Sequence, residues 1–253
     1  MIVLAIDSSA DLISVALLRD REPLAERSLR VPRPRSEGVL AVVDGVLADA
    51  EVPLDAVALF AVATGPGSFN GIRGGIATAE GLALALNRPV VGIPTLDAIA
   101  YGHIGRASSL LAVLPAGRGD YYTATYEGSL ESWRRRGAYS VGPLLEALAD
   151  LPADALVCGH LREDAEPVVA RRGLRRAPRF AELPRALAAG ALAAEWEATE
   201  GFDRAASLTP LYLRRPGITQ PTKRPGALGE WAAHEQRERM TGGALSVPHG
   251  GAR

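Results

Sequence analysis

The stretch Gly65-Pro66-Gly67-Ser68-Phe69-Asn70-Gly71-Ile72-Arg73-Gly74-Gly75-Ile76 decides how this chain is read. It follows a short apolar run, Val57 to Ala63, and leads into a helix-like run that ends near Leu86. Apolar strand, glycine turn and helix in succession aim backbone N–H groups at an anion or a partner. The common nucleotide signatures do not fit. No Lys follows the glycines, as a Walker A loop requires, and Gly71 falls one residue late for G-x-G-x-x-G.

The helix after the loop holds Gly71, Gly74, Gly75 and Gly81, with Ala77, Thr78, Ala79, Ala83 and Ala85 between them. Each interior Gly costs roughly 0.8–1 kcal/mol against Ala, so something must offset them. Gly71, Gly75 and Ala79 fall four apart, on one face, and such a face admits another backbone at close range. Three occupants fit it: the chain's own sheet, a helix of a second protein, or a ligand at the helix start.

Working outward, residues 2–6 are nearly all apolar and end in Asp7-Ser8-Ser9, which suits a buried strand and a turn. Strands over 13–18 and 23–31, joined by the turn at 19–22, make a β-meander of residues 2–31. Ser36 has the character of a helix N-cap, with Glu37 in the first turn. Val39, Val42, Val43, Val46, Leu47 and Ala50 follow at helical spacing. Strands are expected at 56–64 and 89–93, and Thr95 is placed to cap a helix to about Tyr101. The first hundred residues therefore read βββαβαβα. Farther on, the pattern predicts strands at 110–114, 121–126, 155–158 and 210–213, and helices from Leu144, over 161–172 and over 185–199. This repeats the first half in eroded form. From Arg214 onward Pro and Gly dominate, so 216–253 reads as a mostly disordered tail with a short helix at 230–240.

The 253 residues are 47% hydrophobic, enough for a core in one domain or two small ones. A net charge of −1 makes the whole molecule no electrostatic trap for nucleic acid. The single cysteine, Cys158, fits a reducing cytosol. Met1 to Asp7 lacks the basic lead of a signal peptide, and no apolar run approaches the ~20 residues of a membrane span.

Chemistry is sparse. The histidines His103, His160, His234 and His249 include no i, i+4 pair, so a histidine metal site is not expected. Cys158 ends an apolar run and reads as a core thiol. Ser68 lacks the G-x-S-x-G spacing. Asp7 is the residue with catalytic character. In folds that place phosphates between two hairpin-based lobes, an acid here holds Mg²⁺ and the adjacent hydroxyls touch phosphate. Equally, it suits a turn aspartate bonding its own backbone. On the first reading Asp7, Ser8, Ser9, Gly65 and Gly67 bind nucleotide. Tyr121 and Tyr122 read as packing at an exposed sheet edge. Arg134-Arg135-Arg136 and the arginines at 171, 172, 175 and 176 read as solvated surface.

Taken in order, Ile6-Asp7-Ser8-Ser9 with Ser14-Val15-Ala16-Leu17, Arg35-Ser36-Glu37, the block at 65–86, Gly92-Ile93-Pro94-Thr95-Leu96 and Pro210-Leu211-Tyr212-Leu213-Arg214 resemble the TsaB (YeaZ) family of glycoprotease-like proteins. The resemblance spans about residues 1–215, and its 65–86 block is the most specific part.

The resemblance implies an α/β, actin-like ATPase (ASKHA, ribonuclease-H-like) fold of two βββαβα-type lobes, 1–103 and a reduced 104–215. It implies a cytoplasmic, non-catalytic subunit for N6-threonylcarbamoyladenosine formation beside the tRNA anticodon. The partners implied are TsaD, which carries the chemistry and a paired-histidine metal motif, and TsaE, an ATPase; tRNA is met only through the complex. The family's dimerisation helices correspond to 36–50 and 71–86. They give a partner surface of Glu37, Leu40, Val43, Leu47, Gly71, Arg73, Gly74, Gly75, Thr78, Ala79 and Leu82, which favours the partner occupant for the glycine face. A homodimer through the same helices stays open, as does ATP or ADP at the interface with TsaD; no cofactor of the chain's own is expected. Arg35, Asn70 and the segment Pro115 to Tyr121 depart from the family pattern, the last by lacking the family's acid near Pro115. The rival reading is an actin-like-fold kinase or phosphatase using Asp7 and the 65–71 loop.

Overall fold

Alternation along the first strand sets the architecture. In β1 (Ile2–Asp7) Leu4 and Ile6 face one way and Val3 and Ala5 the other, and all four are fully buried. A strand buried on both faces needs a covering layer on each. The structure, a computed structural model, describes residues 1–30, 36–178, 185–200 and 208–214, without the side chains of 36, 37, 199 and 200. The chain divides into units Met1–Arg215 and Pro216–Arg253. The second unit, with the tail and helix expected there, lies outside the described residues, as does Arg35.

β2 (Leu12–Arg19) and β3 (Glu22–Arg30) extend β1 as an antiparallel meander. β4 (Leu59–Gly65) and β5 (Val90–Pro94) join in parallel, giving the order β3-β2-β1-β4-β5. Parallel neighbours require crossovers, here through α1 (Ser36–Asp49) and α2 (Phe69–Leu86). Both helices cover one face, where Val39, Val43, Val46, Ile72 and Ile76 meet Leu4, Ile6, Val15, Phe60 and Val62.

The second sheet repeats the plan. β6 (Ser109–Gly117), β7 (Asp120–Gly128) and β8 (Trp133–Gly142) are antiparallel. β9 (Leu156–Gly159) pairs parallel with β6, and β10 (Arg175–Arg176) with β9. The order β10-β9-β6-β7-β8 is the first sheet's order read from the other end. Its crossovers are shorter: α4 (Leu144–Ala147) has 4 residues where α1 has 14, and α5 (Glu166–Arg171) has 6 where α2 has 18. The reduction of the second lobe lies in these helices.

Two remaining helices cross between the sheets. α3 (Thr95–Tyr101) sends Leu96, Ile99 and Ala100 into the core of the second sheet, beside Leu110, Ala112 and Cys158. α6 (Ala186–Glu200) sends Ala189, Leu192 and Ala193 onto the second face of the first sheet, beside Val3, Ala5, Ala61 and Ile93. Tyr101 donates its hydroxyl to Glu195 at 3.0 Å and ties the two helices together. By sequence α6 follows the second sheet; by packing it completes the first.

Several expectations need correcting. β8 and β10 were not foreseen, because β8 is an edge strand whose residues 134–138 are all exposed and β10 has only two residues. Residues 210–213 form no strand: Leu211 makes a single backbone bond, donating to Thr64 at 2.8 Å. Thr95 does not cap α3; the cap position is Pro94, and no side chain bonds there. Tyr121 is not at an edge. β7 is an inner strand, and Tyr121 is buried with its hydroxyl accepting from the Arg162 amide at 3.1 Å.

Candidate functional site

The inner face of α2 is seated on the turn after β1. Ser68 caps the helix by accepting from the Gly71 amide. A Cβ on Gly71 would collide with the Ser8 carbonyl, and one on Gly75 with the Ser8 hydroxyl, beside Val62. Gly71, Gly75 and Ala79 are therefore occupied by the chain's own sheet, and their expected place in a partner surface is corrected. Val43 and Leu47 of α1 are likewise buried in the core. The four-residue spacing marks a close approach, and the backbone that makes it is the chain's own at Ser8.

A second stripe on α2 faces outward. Asn70, Arg73, Ala77, Gly81, Leu84 and Ala85 are exposed, with Gly74, Thr78 and Leu82 at its margins. Leu84 is 84% exposed and Leu40 of α1 47%. A Cβ on Gly81 would meet nothing. Of the expected partner residues, Leu40, Arg73, Gly74, Thr78 and Leu82 thus remain accessible in whole or part. The side chain of Glu37 lies outside the described residues.

Asp7, Ser8 and Ser9 are buried together where β1 ends. The Asp7 Oδ1 atom accepts from the Ser9 amide at 2.8 Å and the Ser9 hydroxyl at 2.6 Å. Its Oδ2 atom takes the Arg185 Nε at 2.6 Å, and Arg185 Nη2 reaches Ser9 Oγ at 3.4 Å. Ser8 donates its hydroxyl to the Gly71 carbonyl at 2.8 Å. The Ser68 amide donates to the Ser9 carbonyl at 2.7 Å, and a Cβ on Gly67 would collide with that carbonyl. Gly65, at φ +106°, passes so close to Leu211 that a Cβ would sit 2.9 Å from its carbonyl oxygen.

Asp7, Ser9, Gly67 and Ser68 line a cavity of about 270 Å³ between the two sheets, with Asp11, Arg30, Leu114, Pro115, His160 and Arg185 among its other walls. A Mg²⁺-bound phosphate would need Asp7 free as a ligand and the Ser8–Ser9 turn free to donate. Both are committed internally, so the residues present do not fit that group.

A strap of residues 208–214 crosses from the first sheet to the second. The Leu208 amide donates to Glu80 at 2.8 Å. Tyr212 stacks on Phe69 with centroids 5.2 Å apart, and Arg73 lies over Phe69 and donates to the Tyr212 hydroxyl at 3.0 Å. Arg214 pairs with Asp120 and donates to the Ala116 carbonyl at 3.2 Å. The segment Pro115 to Tyr121 is thus the end of the β6–β7 hairpin that receives the strap. Arg185, Tyr212 and Arg214 were not foreseen, since their partners lie 178, 139 and 94 residues away.

Several polar groups elsewhere are matched within the chain. Asp97 in α3 is buried and accepts at Oδ1 from Tyr126 at 2.6 Å and Tyr139 at 2.8 Å. Burial lifts its carboxyl above the usual range, and the two tyrosyl hydrogen bonds and Arg135 hold it back. Burial and then Asp97 raise both phenols. Arg136 pairs with Glu127 at 3.0 Å, Arg135 stacks on Tyr139, and Arg176 meets Glu166 at 3.7 Å. Cys158 is buried, its thiol 3.6 Å from the Leu111 carbonyl. Among the described residues no group of three or more potential ligands could hold a metal ion, and no helix is long and apolar enough to cross a membrane.

Two sheets of one order, each flanked by crossover helices and exchanging α3 and α6, define an actin-like ATPase fold. The family model described as "TsaD: tRNA N6-adenosine threonylcarbamoyltransferase" matches residues 31–163. An uncharacterized protein of Mycobacterium tuberculosis is 35% identical over 218 residues, 85% of this chain and 92% of that protein. The tRNA threonylcarbamoyladenosine biosynthesis protein TsaB of Escherichia coli is 36% identical over 129 residues, 50% of this chain and 55% of that one. The structure of YeaZ from Pseudomonas aeruginosa superposes with a TM-score of 0.68 at 28% identity, covering 84% and 99% of the two chains. This chain belongs to the TsaD family of that model, in its TsaB (YeaZ) group.

Proposed function

We propose that this chain takes part in forming N6-threonylcarbamoyladenosine in tRNA as a non-catalytic subunit, binding TsaD through the outer faces of α1 and α2. The role in this modification is supported by the names of its relatives in E. coli, Bacillus subtilis and Haemophilus influenzae. One observation carries the partner surface. Gly74, Ala77, Gly81 and Ala85 give the solvent side of α2 a low profile, and Leu84 stands out of it at 84% exposure. A second helix can approach such a surface closely, and an apolar side chain held in water gains by being covered.

Asp7, the acid with catalytic character, is held by Arg185 and Ser9, which favours a subunit that does no chemistry itself. TsaD would then supply the transfer chemistry, with TsaE as third component and tRNA met through the complex, in the cytoplasm. Binding to α1 and α2 would favour the active form of TsaD by differential affinity alone.

The test is threonylcarbamoyl transfer to tRNA by cognate TsaD and TsaE, with the activated donor supplied, with and without this chain. Loss of modification together with loss of the TsaD heterodimer on size exclusion is the expected result of omission. Modification indifferent to the chain would overturn the proposal, and ATP turnover by the isolated chain would then test the kinase reading.

A further inference from the structure

The carboxylate at the end of β1 already has a cation, and that cation is part of the chain. Asp7 and Arg185 side chains are 1% and 11% exposed, and their contact runs from Nε to Oδ2 at 2.6 Å. The second carboxylate oxygen is filled by the Ser9 amide and hydroxyl. A buried carboxylate must be matched by positive charge. In sites that bind Mg²⁺ with a substrate phosphate, one or two carboxylates hold the divalent ion that does so.

A guanidinium differs from a metal in three ways. It keeps its proton at all ordinary pH, it cannot dissociate from the chain, and it fills a carboxylate edge without opening a coordination position for phosphate. A divalent ion placed beside Asp7 would also meet the positive charge of Arg185 at close range in a buried setting. The donors that a phosphate would take are used as well, with Ser8 Oγ on Gly71 and the Ser68 amide on Ser9.

We propose that Arg185 is a built-in cation in the place of Mg²⁺ at Asp7, so that the cleft of this chain is closed to metal-bound nucleotide. The pair fixes the start of α6 to the end of β1, and the charge that would recruit a metal is spent on the fold. This does not depend on any role in tRNA modification.

The test uses the full chain without partners. Mn²⁺ binding is followed by electron paramagnetic resonance and Mg²⁺-ATP binding by calorimetry. The wild-type chain is expected to bind neither at millimolar concentration. Arg185→Met removes the guanidinium at similar length and should gain one Mn²⁺ per chain, with affinity at least about tenfold above wild type. That gain should vanish in Asp7→Asn/Arg185→Met and be absent in Arg185→Lys. Stoichiometric Mn²⁺ or Mg²⁺-ATP binding by the wild type, abolished by Asp7→Asn, would overturn the proposal. So would a folded Arg185→Met protein that gains no Mn²⁺. If Arg185→Met fails to fold, thermal unfolding of the double variant decides: recovery supports the matched pair, and failure to recover overturns it.

Discussion

The Ser8 hydroxyl donates 2.8 Å to the carbonyl of Gly71, and the Ser8 carbonyl lies where a Gly71 Cβ would be. The first turn of α2 is thus fastened to the turn after β1 by a bond and a close contact at the same residue. That fastening accounts for a glycine otherwise costly in a helix interior, and it brings the 65–68 loop down onto Ser9.

The helix glycines should respond in a fixed order to one added methyl. Gly71→Ala puts a Cβ against backbone that cannot yield and should cost about 1–3 kcal/mol. Gly75→Ala meets the Ser8 hydroxyl, which can rotate, and should cost less. Gly81→Ala enters open space and should stabilise by up to about 1 kcal/mol. Urea unfolding of the three variants checks the order. Gly71→Ala as stable as wild type would refute the seating described here.

Asp97 should make stability depend on pH in a specific direction. Its folded-state pKa is raised, mainly by burial, from an unfolded value near 3.8. The folded state therefore holds the proton more tightly, and its contribution, complete below the unfolded pKa, is lost as pH rises through the folded one. Both tyrosyl hydroxyls donate to a single oxygen, Oδ1, which an amide supplies equally well. Asp97→Asn should accordingly gain stability relative to wild type as pH rises from about 3.8 through the acid range. Asp97→Ala, which leaves both hydroxyls without this acceptor, should lose about 1–3 kcal/mol per orphaned group. Thermal melts across the acid range read both effects. A flat difference between Asn variant and wild type would remove Asp97 as the source.

The strap at 208–214 should open independently of the sheets. Its hold on the first sheet rests on the Leu208–Glu80 bond, the Phe69–Tyr212 stack, the Arg73 bond to the Tyr212 hydroxyl and the Leu211–Thr64 backbone bond. Tyr212→Ala removes the stack and the Arg73 acceptor at once, and the stack alone is worth about 0.5–1.5 kcal/mol. Hydrogen–deuterium exchange should quicken at the Leu211 amide and stay slow in β1. Unchanged exchange at Leu211 would mean that the tyrosine does not hold the strap.

The first sheet was legible because its signals are local. The apolar run at 2–6, the turn at 19–22 and the small residues of 69–86 each fall within one element. Where readings failed, the deciding partner was remote. The stripe Gly71-Gly75-Ala79 announced a close approach, but its spacing is identical for a neighbouring chain and for the chain's own Ser8. Asp7 was open between phosphate ligand and turn residue, and the residue that decides it, Arg185, stands before an alanine-rich helix with no local mark. Edge strand β8 carries Arg134, Arg135 and Arg136 on exposed positions. With no buried face to impose alternation there, its pairing could not be read from periodicity. Pro210 to Leu213 looked like a strand because it is apolar; its apolar contact is with Phe69, not with a ladder.

If TsaD docks on the outer stripe of α2 as proposed, substitutions there should separate folding from association. Leu84 is 84% exposed and reports little on the core, so Leu84→Asp should change the stability of the free chain by no more than about 0.5 kcal/mol. Burying that aspartate against a partner helix would leave a carboxylate unmatched, so affinity for TsaD should fall at least tenfold, or about 1.4 kcal/mol. Gly75→Leu is the contrasting substitution, because its side chain would enter the space held by Ser8 and Val62 and should unfold the free chain. Calorimetric titration of TsaD into each soluble variant, with urea unfolding alongside, distinguishes the two faces. A Leu84→Asp chain that binds TsaD as tightly as wild type would place the partner on another surface. A stable Gly75→Leu chain that fails to bind would return the partner to the inner face.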